Sequence, residues 1–407
     1  MTSRARVRAL VIGAGIGGLA AAATLRRVGI DAEVYERARE LRPAGGALSL
    51  MSNAVLALRT LGIDLKLAEN DAAVLEQLHF LTRRGKRIRT LEFKEICDRL
   101  GAPSVGLHRA ELQRLLLAAA GDVPITLDAQ AVGYDIAAPD GGPGEQDSGG
   151  AGVRVLFADG SEAHGDILIG ADGFGSAVRR TLLGPETPYE PGYIAWVATP
   201  HVTHPAITEQ YGAHYWGRGR RFGIANIGKG QVYWWGTKNM PPERARDWHG
   251  TRAEIEETYA GWAPEVEAVI RATPQEEITA FPARDRPCAE RWGEGPVTLL
   301  GDAAHPMMTS LGQGAAIAIE DAVVLARHLD GAADLPAALR AYEHARRPRA
   351  QRIVSAARSL SDLEQTERLG RLIGRRLFFT FAPRSVLDRQ NTEFLDYHAA
   401  VAAEVHP

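Results

Sequence analysis

VRALVIGAGIGGLAAAATLRRVGIDAEVYE, residues 7–36, decides the fold. Val7 to Ile12 is a short, nearly continuous apolar run, the pattern of a strand buried on both faces of a parallel sheet. Gly13-Ala14-Gly15-Ile16-Gly17-Gly18 breaks it. Leu19–Val28 is alanine-rich with high helix propensity, and Gly29 stands where a helix ends. Ala32–Tyr35 is a second strand, closed by Glu36. The whole is a βαβ unit with short connections. Gly13 permits the tight turn, Gly15 lets backbone approach a pyrophosphate, and Gly18 lets helix and sheet pack closely. The helix start at Ile16 offers free amides to phosphate. Glu36, 18 residues beyond Gly18, ends the second strand, where a carboxylate accepts hydrogen bonds from ribose hydroxyls.

Two later stretches repeat the strand-then-glycine theme. Ile167–Ile169 leads into Gly170-Ala171-Asp172-Gly173, with Arg179 following, so Asp172 emerges at the carboxyl end of a strand. Ligands gather at that edge of an open α/β sheet. Val297–Leu300 leads into Gly301-Asp302-Ala303-Ala304-His305-Pro306, then Leu311-Gly312-Gln313-Gly314 and a helix from Ala315. A carboxylate at Asp302 suits a sugar-alcohol hydroxyl. Gly312 and Gly314 allow amides to face a flat ring, beside the positive end of the helix.

The rest of the 407 residues frames these motifs. Hydrophobic residues at 45% and charged residues at 24% exclude a wholly disordered chain. A net charge of −3 argues against nucleic acid as a partner. Cys97 and Cys288 lie in unrelated contexts, and His201 and His204 lack further ligands, so neither a disulfide framework nor a metal site is expected. Reduced cysteines fit a cytoplasmic protein. Arg4, Arg6 and Arg8 before an apolar run resemble a secretory leader, but the glycines make the βαβ reading better and the run is short for a membrane span. Residues 125–136 and 153–157 read as strands joined through a hairpin tip at Ala138–Gly152. Arg221–Ile227 and Gln231–Thr237 read as antiparallel strands. From Leu335 the chain reads as helical, with breaks at Pro348 and Pro383.

In order and separation, these motifs resemble the class A single-component flavoprotein monooxygenases, the family of salicylate and urate hydroxylases and zeaxanthin epoxidase. The resemblance covers nearly all of residues 5–350. It implies an α/β fold: a Rossmann-like FAD-binding domain (1–72, 97–183 and 278–350) interrupted by a mostly antiparallel β-sheet substrate domain (73–96 and 184–277), then C-terminal helices (351–407). It implies FAD, with NADPH or NADH as reductant. Gly13, Gly15, Ile16 and Gly18 would then cradle the pyrophosphate. Glu36 would hold the adenosine ribose, with Arg37 near the adenine. Arg109 would reach the ribose and pyrophosphate region, and Asp302 the ribityl chain. Pro306, Gly312, Gln313, Gly314 and Ala315 would border the isoalloxazine, and Asp172 would serve the FAD and nicotinamide region. The chain departs from the family pattern at Ser52-Asn53, where Pro-Asn is common, and at Ala316, where a polar residue is common. The implied reaction transfers one atom of O2 to an electron-rich carbon through a flavin hydroperoxide, most simply as hydroxylation. Epoxidation, Baeyer–Villiger insertion, isoprenoid reduction and non-enzymatic FAD binding are the alternatives. No Trp-x-Trp-x-Ile-Pro segment of a flavin halogenase is present.

Six of the seven tryptophans and six of the ten tyrosines fall in residues 189–262, which suits a flat aromatic or polycyclic substrate of the kind met in secondary metabolism. Trp196, Tyr215, Phe222 and Trp235 are the candidate substrate contacts. Tyr215, His214 and Tyr193 are the candidate polar groups for chemistry. Trp234 and Trp235 must point to opposite faces of their strand. Arg368–Phe381 is basic and apolar. Its expected role is a cover for the FAD domain, with a membrane surface as the alternative. No integral membrane association is expected, and the protein is expected to be a monomer or homodimer.

Overall fold

The computed structural model describes residues 7–41, 46–67, 69–70, 72–136 and 152–397. Arg8–Ile12 is the centre of a six-stranded sheet. It pairs in parallel with Asp31–Tyr35 on one side and Ile167–Gly170 on the other. Val297–Leu299 continues the parallel run, and Gly293–Glu294 adds an antiparallel edge. All three glycine motifs therefore leave neighbouring parallel strands at the same, carboxyl edge. The Ile16–Arg27 helix lies against the sheet with Leu19 to Leu25 buried, and packs against the Gly314–Leu329 helix. Two helices that both begin at glycines are thus held side by side.

The close helix–strand approach explains two glycines. Gly13 has φ +103°, and a Cβ there would lie 2.5 Å from the Ala171 carbonyl oxygen. A Cβ on Gly18 would lie 1.9 Å from the Gly13 carbonyl oxygen. No side chain fits either position without moving the helix.

The second layer is a seven-stranded sheet in the order Thr279–Pro282, Tyr193–Ala198, Val232–Asn239, Arg220–Asn226, Gly212–Trp216, Gln77–Thr82, Arg87–Glu92. Neighbours are antiparallel except Gly212–Trp216 and Gln77–Thr82. One face carries Trp196, Phe222, Trp234 and Tyr215, packed with Tyr259, Trp262 and the apolar sides of the Arg252–Thr258 and Pro264–Ala272 helices. The opposite face turns toward the glycine motifs. A small antiparallel sheet, Ala131–Ile136, Val153–Phe157 and Glu162–Gly165, sits beside the FAD-type sheet. Most of the hairpin tip anticipated between its first two strands lies outside the described residues.

Pro348 does not break the chain. It sits inside the 30-residue helix Leu335–Glu364. A proline there removes one helical N–H. The helix runs through because Arg346 and Arg349, on either side of it, are tied to the Gly314–Leu329 helix. Arg346 donates to Asp321 Oδ1 at 2.8 Å and Glu320 Oε2 at 2.7 Å. Arg349 makes a two-pronged contact with Glu320, 2.7 Å on each arm. All four side chains are buried. Burial alone would raise both carboxyl groups, but the guanidinium groups around Glu320, and His305 and Arg346 around Asp321, outweigh it and hold both below the ordinary range.

Candidate active site

A cavity of about 480 Å³ separates the two layers. Its floor is the carboxyl edge of the parallel sheet: Gly15, Ile16, Gly17, Ala171, Gly301 and Asp302, with Gly312, Gly314 and Ala315 opposite. The helix beginning at Ile16 has no side-chain cap and no acidic residue in its first turn, and the same holds for the helix beginning at Gly314. Free amides and the positive helix ends therefore face the same space. A Cβ on Gly15 would meet nothing within 4 Å, so this backbone stands open to whatever fills the cavity. Arg109, the first residue of the Arg109–Ala120 helix, adds a cation to the wall. These features fit a long anionic dinucleotide.

The carboxylates divide into two kinds. Asp302 opens onto the cavity, while protein crowds its other sides. That crowding pushes its carboxyl upward, and His305 and Arg109 oppose the shift. Asp172 acts on the site indirectly. Its carboxylate turns into the start of the Ala177–Leu183 helix, accepting from Ser176 Oγ at 2.5 Å and the Ala177 amide at 2.6 Å. Burial raises this carboxyl, with those donors opposing. The capped helix then presents buried Arg179, whose Nη1 donates to the carbonyls of Ala303 and Ala304 at 2.9 Å each. The second glycine motif thus clamps the turn that carries Asp302. Asp321 holds the same turn from behind, accepting from the Gly301 amide at 3.2 Å and facing His305 Nε2 at 2.5 Å.

Glu36 also braces the site. Its carboxylate accepts from the Ala14 amide at 2.7 Å and the Ala38 amide at 2.9 Å, tying the second strand to the glycine turn. Gly13 and Gly18 shape that turn without lining the cavity. Arg37 is exposed beyond the strand end and does not line the cavity. Pro306 is buried behind the lining. The Gln313 side chain points inward, accepting from Asn53 Nδ2 at 3.0 Å, and Asn53 also donates to Glu320 at 2.7 Å. Gln313 therefore positions the loop rather than bordering the cavity. Asn53 is the residue that keeps the family's Pro-Asn pattern, while Ser52 stands where proline is common and donates its amide to Ser104 Oγ at 3.1 Å.

The roof corrects the reading of the aromatic residues. Across the sheet, His214 opposes Gly223, Gly223 opposes Trp235, and Trp235 opposes Val197. This row faces the cavity. The next row runs Tyr215, Phe222, Gly236, Trp196 and faces the other way. Trp196, Tyr215 and Phe222 are fully buried in the core behind the sheet and do not line the cavity. Tyr215 donates to Glu265 Oε1 at 2.6 Å and pairs with the Tyr211 hydroxyl. Burial and those neighbours push its phenol far above the usual range, so it keeps its proton. Tyr193 is buried against Met308, its hydroxyl 2.9 Å from Ser361 Oγ, and also lies outside the lining. Trp235 and His214 do line it. Gly223 marks this row in the sequence: a Cβ there would come within 1.9 Å of the Trp235 ring, so only glycine lets the indole lie across the strand.

Tyr233, one of the clustered tyrosines of residues 189–262, and five residues that the sequence does not single out complete the roof. Tyr233, Thr237, Phe80, Phe281, Met308 and Glu364 all line the cavity. Three polar atoms in this wall are buried and make no hydrogen bond within the protein: His214 Nδ1, Thr237 Oγ1 and Glu364 Oε1, the first and last of them 3.9 Å apart. The other oxygen of Glu364 is held by Arg221. Burial, with Arg221 nearby, lowers His214 to about 3, so its imidazole is neutral. It stacks on Phe80 at 5.4 Å and meets Trp235 edge-on at 5.0 Å.

A family model described as an FAD binding domain matches residues 6–357. The chain belongs to the FAD-dependent monooxygenases. The aurachin C monooxygenase/isomerase of Stigmatella aurantiaca is 38% identical to it over 358 residues, 88% of this chain and 90% of that protein. The FAD-dependent urate hydroxylase of Klebsiella pneumoniae subsp. pneumoniae is 34% identical over 360 residues, with the same coverage. The crystal structure of Klebsiella pneumoniae HpxO with FAD and uric acid superposes with a TM-score of 0.87 at 29% identity, covering 96% of each chain.

For this monooxygenase the chemistry that FAD supplies is reduction by NAD(P)H and activation of O2. The chain's own residues bind, orient and exclude water. The bare helix starts, Gly15 and Arg109 would hold the phosphates of FAD, and Asp302 with the Gly312–Ala315 turn would hold the ring end. Glu36 acts on the first of these by fixing Ala14. Glu36→Ala is expected to weaken FAD retention about tenfold, because it would remove the charge-assisted hydrogen bond expected to the adenosine ribose, worth roughly 1.5–3 kcal/mol, and loosen the turn at Ala14. Equilibrium dialysis of FAD against wild type and variant checks this, and equal affinities would remove Glu36 from the site.

Proposed function

We propose that the enzyme hydroxylates a planar, largely apolar aromatic ring whose edge carries hydrogen-bonding N–H or O–H groups. The observation that carries this is the trio of buried polar atoms that make no hydrogen bond, Thr237 Oγ1 and the facing His214 Nδ1 and Glu364 Oε1, in a wall otherwise made of Phe80, Trp235, Tyr233 and Phe281. Each buried polar atom without a partner costs about 1–3 kcal/mol. A ligand edge that hydrogen-bonds to all three removes that cost only in the complex. Glu364, a carboxylate paired with Arg221, accepts a proton-bearing group. Neutral His214 and the Thr237 hydroxyl take the adjacent atoms. The aromatic walls fix the plane of the ring. Two relatives support the same class by name: the urate hydroxylase, and a 6-hydroxynicotinate 3-monooxygenase of Bordetella bronchiseptica that is 32% identical. NAD(P)H is the reductant in this reading, and a monomer or homodimer in the cytoplasm is its setting.

Thr237→Val is the clean test of the polar edge. The hydroxyl has no protein partner, so its removal leaves the free enzyme intact. Affinity for a ring bearing such an edge is expected to fall about two- to tenfold, the worth of one neutral hydrogen bond. Titration of the flavin absorbance with a panel of hydroxylated and nitrogen-containing aromatics measures it. Affinities unchanged across every binding compound would show that the substrate does not use this wall.

A further inference from the structure

The Leu369–Phe381 helix is fixed on one side and unusually apolar on the other. On its inner side Phe379 packs against Trp216 and Phe80, with ring centroids 4.7 and 5.2 Å away. Arg375, also buried, donates to the carbonyls of Leu363, Glu364 and Gly217 at 2.9–3.1 Å. The outer side exposes Leu369 (70%), Ile373, Leu377, Phe378 and Phe381 (75%). With Val386 just beyond, this one segment holds six of the ten exposed large hydrophobic side chains among the described residues. At about 3.6 residues per turn, the five in the helix spread over roughly half its circumference. Arg371 and Arg376 stand at the two borders of that arc, exposed, and Arg368 is exposed at the helix start. Residues 368–381 contain no acidic side chain.

We propose that this helix docks the enzyme onto an anionic membrane surface, lying in the plane of the interface. An apolar arc edged by arginines matches acyl chains edged by anionic headgroups. The charge pattern selects this occupant over a second copy. Two such faces brought together about a twofold axis would set arginine rims against arginine rims, with no acid in either segment to answer them. The anchoring inner side gives the docking a consequence. Phe80, against which Phe379 packs, lines the cavity, as does Asn391 of the following Arg384–Leu395 helix. The docked surface therefore lies one layer of side chains from the cavity wall.

The test is co-sedimentation of the FAD-loaded enzyme with vesicles of phosphatidylcholine alone and of phosphatidylcholine mixed with phosphatidylglycerol, at low and high salt. The expected result is binding to the anionic vesicles about tenfold or more above the neutral ones, weakening as salt rises. Phe378→Ser with Phe381→Ser, and separately Arg371→Glu with Arg376→Glu, are each expected to reduce it at least about tenfold while FAD content and turnover stay at wild-type levels. Binding that ignores lipid charge, or a doubly substituted variant that sediments like wild type, overturns the proposal. So does a dimer in analytical ultracentrifugation that the same substitutions dissociate, because the face would then belong to a second copy.

Discussion

Arg346→Met is expected to destabilise the enzyme by about 3–5 kcal/mol, the effect of stranding a buried charge. Arg346 is fully buried and bridges Glu320 and Asp321. Methionine fills much of the volume but leaves Asp321 with its hydrogen bonds from the Gly301 amide and His305 and no guanidinium, and leaves Glu320 with Arg349 and Asn53 alone. The damage reaches the site, because Asp321 holds the turn bearing Asp302 and Glu320 holds Asn53, which holds Gln313. FAD retention should therefore fall together with melting temperature. The pH dependence has a definite sign. Glu320 and Asp321 lie below their reference values of 4.5 and 3.8, so the unfolded chain binds more protons in acid. Their stabilisation is complete above those values and is lost as pH falls through the lower folded-state values. Denaturant melts of wild type from neutral pH into acid should show that loss, and Arg346→Met should show less of it. A variant as stable as wild type would mean that the network contributes little.

Gly18→Val and Gly15→Ala should separate fold from cofactor. A Cβ at Gly18 would lie 1.9 Å from the Gly13 carbonyl oxygen, far inside van der Waals contact, so the Ile16–Arg27 helix must leave the sheet, and almost no folded, FAD-containing protein is expected. A Cβ at Gly15 meets no protein atom and the residue has ordinary extended backbone. Gly15→Ala should fold with a melting temperature close to that of wild-type apoprotein. Its methyl enters the cavity where phosphate is expected, so FAD affinity should drop about tenfold or more, the worth of one or two charge-assisted hydrogen bonds. Thermal melts of the apoproteins and FAD titrations measure the two effects. Full FAD affinity in Gly15→Ala would place the pyrophosphate elsewhere.

The strand–glycine–helix units were legible in the sequence because backbone chemistry leaves few alternatives: Gly13 and Gly18 occupy positions that exclude a side chain. The roof was legible only in part. Aromatic density marked residues 189–262, but the parity of each strand decides which face a ring takes. His214 and Trp235 shared the inner row, while Trp196, Tyr215 and Phe222 shared the outer one. Gly223 was the local signal for that choice, since its missing Cβ admits the Trp235 ring. Glu364 and Phe80 carry no local signal. They reach the cavity through tertiary packing of a C-terminal helix end and an early strand, over hundreds of residues. Asp172 was found by position but serves by capping a helix and, through Arg179, holding the Asp302 turn. Pro348 misled because a local helix-breaking preference yields to the buried arginines beside it.

One atom of O2 is expected to enter the ring of a planar aromatic bound under Trp235. The most direct test is single-turnover oxidation of the NAD(P)H-reduced enzyme in ¹⁸O-labelled oxygen, with the tightest-binding compound of the absorbance panel. The expected product is that compound plus one labelled oxygen. A product whose added oxygen comes from water, or consumption of all NAD(P)H as hydrogen peroxide with every compound that binds, would contradict the account.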